Sequence, residues 1–126
     1  MIYVASPYTH PDADVRHERY LLVRDYTADL LKAKVNAYSP IVHCHDMSIE
    51  CGLPFTADFW ENYNFDMIRR CDGLIVLTLD GWEKSVGIKG EMACAGEERI
   101  PVFMLPPGDI STAVRLYATL QRRHKS

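Results

Sequence analysis

Short apolar runs alternate with longer amphipathic ones along this chain, the pattern of strands joined by crossover helices. Residues 2–5 read as a first strand. Residues 13–34 read as a helix with Leu22, Val23, Tyr26, Leu30 and Ala33 on its inward stripe, capped by Asp12 after Pro11. Residues 37–42 read as a second strand, confined to a sheet edge because Pro40 lacks the N–H a central strand needs. A polar, irregular segment follows over 43–56. Then come a helix over 57–70, a strand over 73–79, a helix over 87–98, a strand over 100–105 and a helix over 109–122. Pro106-Pro-Gly108 separates the last two.

The run 74–79, Leu-Ile-Val-Leu-Thr-Leu, is the most apolar, so it belongs at the centre of a sheet covered on both faces. Right-handed crossovers then give a single α/β domain over 1–126. It is a three-layer open parallel sheet of order 2-1-3-4, of Rossmann/flavodoxin-like class. Ligands of such sheets bind beyond the carboxyl ends of the strands. That rule gathers Ser6-Pro-Tyr8, His43-Cys-His45 and the stretch 80–91.

Composition narrows the reading. A net charge of −3 gives no electrostatic case for a nucleic-acid polymer. No apolar run reaches the roughly 20 residues needed to span a membrane, and the chain opens on a strand-like segment rather than a signal peptide. Cys44, Cys51, Cys71 and Cys94 lack paired spacing and read as reduced thiols. A cytoplasmic protein is the expectation.

The chemistry centres on Ser85-Val-Gly-Ile-Lys-Gly-Glu91. A hydroxyl and two glycines at a strand-to-helix turn form a cradle for an anion or hydroxyl, because helix N-termini present free N–H groups. Glu91, read as a first-turn carboxylate kept ionised by the helix dipole, is a candidate nucleophile for an anomeric carbon. Ser85 suits a 5′-phosphate or 5′-hydroxyl and equally suits an N-cap. Gly87 and Gly90 permit close approach. Tyr3 can orient the carboxylate or serve as a core tyrosine. Ser6 lies at the exit of the first strand, and Tyr8 and Trp82 can wall a base or sugar. Asn64 and Asp66 sit on one helix, with Asp66 a candidate general acid or a solvated surface residue. His43 is a candidate pocket contact. His43, His45, Asp46 and Cys51 are metal-ligand types in no trusted zinc spacing, so neither metal nor other cofactor is expected.

These residues resemble the nucleoside 2-deoxyribosyltransferase-like superfamily, which includes deoxynucleoside 5′-monophosphate N-glycosidases. The resemblance rests on three blocks in order: 2–7 (Ile-Tyr-Val-Ala-Ser-Pro), 71–76 (Cys-Asp-Gly-Leu-Ile-Val) and 81–91 (Gly-Trp-Glu-Lys-Ser-Val-Gly-Ile-Lys-Gly-Glu). It is nearest to a small branch with a Gly-Trp-x-x-Ser-x-Gly signature. The resemblance implies that Glu91 is the nucleophile and Tyr3 its hydrogen-bond partner. It implies that Ser85 stands where transferases carry an aspartate and the monophosphate N-glycosidases a phosphate-binding serine. It also implies a homodimer or larger homo-oligomer, with 109–112 reaching a neighbour's pocket. One position departs: where the family often has an acid, eight residues before Asp72, this chain has Asn64. An asparagine can bind a base but cannot protonate it.

The leading expectation is therefore an enzyme that cleaves or exchanges the N-glycosidic bond of a (deoxy)nucleotide or nucleoside through a glycosyl-Glu91 intermediate. The alternatives are a glycohydrolase of NAD or a signal nucleotide, and a nucleotide-binding module without turnover.

Overall fold

The computed structural model describes residues 1–125. Strands β1 (Ile2–Ala5), β2 (Ala37–Tyr38), β3 (Gly73–Leu77) and β4 (Val102–Leu105) form one all-parallel sheet. Its order is β2-β1-β3-β4, as the apolar pattern requires. Five helices cover it: α1 (Ala13–Lys32), α2 (Pro40–Cys51), α3 (Ala57–Arg69), α4 (Val86–Glu97) and α5 (Ser111–Lys125).

Strand alternation divides the core. Ile2, Val4, Ile75 and Leu77 pack with Val23, Tyr26 and Leu30 of α1 and with Ala113 and Leu120 of α5. Tyr3, Ala5, Leu74 and Val76 face the other way, against Ile68 of α3 and Ile88, Cys94 and Ala95 of α4. Every residue of β3 is buried, the consequence of a central strand with helices on both sides. Tyr3 therefore points toward α3 and α4.

Two expectations need correction. The second strand stops at Tyr38, and residues 40–51 form helix α2 instead of a strand end and an irregular loop. Ser39 caps that helix, its hydroxyl accepting from the Val42 N–H at 3.2 Å. Pro40 occupies the first turn, where a missing N–H costs nothing, and Gly52 closes the helix with φ +71°. On α1, Leu22 is exposed while Thr27 is buried. The Thr27 hydroxyl donates to the Val23 carbonyl at 2.7 Å, so a polar residue sits inside without an unmet hydrogen bond. Asp12 caps α1 as expected, accepting from the Asp14 N–H at 2.8 Å.

Candidate active site

Helix α4 presents Ile88, Glu91, Cys94 and Ala95 to the interior, the one acid in an otherwise apolar stripe. Ser85 is its N-cap, accepting from the Ile88 N–H at 3.2 Å. Glu91 lies in the second turn, four residues after Gly87 and on the same face. The Tyr3 hydroxyl, fully buried on β1, donates to Oε2 of Glu91.

Burial sets the charge state of this pair. It pushes the Glu91 carboxyl up to about 7, the Tyr3 hydrogen bond pulling the other way. Burial and the adjacent carboxylate hold the Tyr3 phenol well above its ordinary value, so Tyr3 keeps its proton and donates. The expectation of a first-turn carboxylate held ionised by the helix dipole is thus corrected. Glu91 sits a turn too deep for that effect, which fades beyond the first turn, and desolvation drives the opposite shift.

Glu91 opens on a cavity of about 790 Å³, within the range of small-molecule sites. Ser85, Gly87 and Gly90 line it from α4, Trp60, Asn64 and Phe65 from α3, Pro40, Ile41 and Cys44 from α2, and Ser6 and Tyr8 from the exit of β1. A Cβ added at Gly87 would sit 3.8 Å from Ser85 Oγ and 3.9 Å from Glu91 Oε1. The absence of a side chain there leaves open the path between cap and carboxylate. Ser6 Oγ and Asn64 Oδ1 are buried with no hydrogen-bond partner among the described residues, and both residues line the cavity. Such groups need a reason in a native fold, and a bound polar ligand is one. Lys84 and Lys89 bring positive charge to the α4 side, and Asp58 and Glu61 bring negative charge from α3. Burial pushes the Cys44 thiol up to about 11, so it is a neutral wall rather than a thiolate.

Eight of the residues singled out by sequence converge here: Glu91, Tyr3, Ser6, Tyr8, Asn64, Ser85, Gly87 and Gly90. Three do not. Asp66 is exposed and faces Arg70 at 3.5 Å, since two residues beyond Asn64 on a helix is more than half a turn away. Trp82, in the short 3₁₀ turn Trp82–Lys84, packs against the core beneath α3 and α4. His43 is exposed on α2, stacked on Tyr63 at 5.4 Å with 4° between the planes. His43, His45, Asp46 and Cys51 do not converge either: among the described residues no three His, Cys, Asp or Glu side chains form a group able to hold a metal ion. Reasoning along the chain missed Ala57, Trp60 and Glu61, whose spacing to Asn64 puts one helix face toward the ligand. It also missed Lys84 and Lys89, which flank the cap.

A model of the family described as a domain of unknown function, DUF1937, matches residues 1–106. The chain belongs to this family. No curated protein matches it. The DUF1937 match takes in all four strands and every residue lining the cavity, and ends before α5. Among the described residues of this DUF1937 domain, no helix is long and apolar enough to cross a membrane.

Proposed function

We propose that the protein cleaves, or exchanges the base across, the N-glycosidic bond of a (deoxy)nucleoside 5′-monophosphate, with Glu91 as nucleophile. The observation that carries the reading is a single buried carboxylate, held by a tyrosine hydroxyl, lining a cavity whose wall is a helix N-terminus. The resemblance to the nucleoside 2-deoxyribosyltransferase-like superfamily supports the same reading.

A Glu91 oxygen forms a bond to the anomeric carbon as the bond from that carbon to the base nitrogen breaks. The electron pair of the broken bond leaves with the base. Water, or a second base, then displaces the carboxylate. Positive charge develops on the sugar in both steps. A carboxylate raised by burial is stabilised by that charge more in the transition state than in the free protein. Tyr3 fixes which oxygen is held and leaves the other for attack. The 5′-phosphate is assigned to the α4 N-terminus, with the Ser85 hydroxyl and the Lys84 and Lys89 ammonium groups as partners. The aromatic faces of Trp60, Phe65 and Tyr8 suit a base.

The test is release of free base from the common deoxynucleoside monophosphates, followed by chromatography. Release abolished in Glu91→Ala supports the reading; no release above that variant from any of them overturns it. A nucleotide-binding module without turnover is the second reading, favoured by Asn64, an amide on the wall where a proton donor would serve. Calorimetric binding retained in Glu91→Gln, with no product from the wild type, selects it.

A further inference from the structure

A departing base needs a proton, and neither Asn64 nor the outward-facing Asp66 supplies one. A different chain of groups reaches the cavity. Tyr8, buried and lining it, is hydrogen-bonded through its hydroxyl to Nδ1 of His45 at 2.7 Å. His45 is itself buried on α2, and its Nε2 lies 3.3 Å from Nδ1 of His17 on α1. His17 is exposed. The Tyr20 ring stacks on His45 with centroids 4.1 Å apart and 13° between planes, fixing the imidazole in this line. The three groups come from separate segments and connect ligand space to the surface through one buried imidazole. Both ring nitrogens of His45 are engaged, Nδ1 with Tyr8 and Nε2 with His17, so the line is continuous.

We propose that Tyr8, His45 and His17 form a proton relay that delivers the leaving-group proton to the base, with the Tyr8 hydroxyl as the catalytic acid. The proposal rests on the glycosidic reading above. The Tyr8 O–H proton passes to the base nitrogen as its bond to the anomeric carbon breaks. The His45 Nδ1 proton moves to the Tyr8 oxygen, and a proton from His17 Nδ1 moves to His45 Nε2. The proton that leaves exposed His17 is replaced from solvent, so one proton crosses and no group is left charged in the interior. His45 starts and finishes neutral, having exchanged tautomers, and burial favours that by lowering its proton affinity. The other groups facing His45 are Arg16 of α1, which opposes its protonation, and Asp46 of α2, which favours it.

Two measurements on the full chain test the relay. The first is the ¹⁵N spectrum of the His45 imidazole. A proton on Nδ1 is expected, leaving the Tyr8 proton free to point into the cavity. A bare Nδ1 overturns the proposal, because the only Tyr8 proton is then committed to His45. The second compares a deoxynucleoside monophosphate with its 4-nitrophenyl deoxyriboside 5-phosphate counterpart, whose leaving group departs without a proton. Tyr8→Phe is expected to slow base release about 100-fold more than it slows nitrophenol release. His45→Gln, which keeps a hydrogen bond to Tyr8 but passes no proton, gives the same split. Equal slowing of both substrates in both variants overturns the relay while leaving the glycosidic reading intact. A wild type inactive on both substrates overturns that reading, and the relay with it.

Discussion

The Tyr3 hydroxyl donates to Glu91 Oε2 across the interface between β1 and α4, joining residues 88 positions apart in sequence. The bond stabilises a carboxylate that burial otherwise drives toward its neutral form.

Tyr3→Phe removes that donor with little change in volume. The Glu91 midpoint, about 7 in the wild type, then moves higher. In the proposed reaction the acid limb of the kcat/KM profile reports this midpoint. The limb is expected near pH 7 in the wild type and displaced upward in the variant. An unmoved limb would separate Tyr3 from the charge state of Glu91.

The buried acid also makes folding depend on pH. A carboxyl raised from 4.5 to about 7 favours the folded state most at pH below 4.5. That contribution is lost as pH rises through about 7, a change of roughly 3 kcal/mol. Glu91→Gln removes the dependence. Urea denaturation at about pH 5 and about pH 8 should show the variant gaining on the wild type at the higher pH. A gap between the two that is constant across this range contradicts the assignment.

Gly87 offers a separate handle on the cavity. Its Cβ position is at ordinary contact distance from Ser85 and Glu91, so Gly87→Ala folds without strain and gains roughly 0.5–1 kcal/mol of helix stability. Gly87→Leu fills the path between cap and carboxylate. Thermal melts are expected to rise for alanine, while calorimetry shows nucleotide binding lost for leucine. Unchanged binding by the leucine variant would move the ligand away from the α4 N-terminus.

Ser85 carries two roles that one pair of substitutions separates. Ser85→Ala loses the cap and about 1 kcal/mol of stability. Ser85→Asp keeps the cap, since aspartate accepts from the same N–H groups, and adds a charge beside the proposed phosphate. Its melting temperature should match the wild type, while its affinity for a monophosphate falls and that for the corresponding nucleoside does not. Equal loss for both ligands would place the phosphate elsewhere.

The strand order was legible because β3 is apolar at every position from Leu74 to Leu77, and only a central strand is buried on both faces. The start of α2 was not. Ser39-Pro40 satisfies the rules for an edge strand and for a capped helix equally, and packing against α1 decides between them. Ser85 and Glu91 were legible from a turn-and-helix motif local in sequence. Asp66, Trp82 and His43 were misplaced because each lies near the site along the chain but on a face turned from it.

Periodicity and the glycine-flanked turn were enough to specify the layers, the order of the strands and the position of the acid that lines the cavity. Those depend on neighbours a few residues away and on which runs are apolar on both sides. The ionisation of Glu91, the buried and unpartnered Asn64 Oδ1 and the line from Tyr8 through His45 to His17 come from folding alone. Desolvation and long-range hydrogen bonds exist only once segments remote along the chain are brought within contact distance and water is excluded between them.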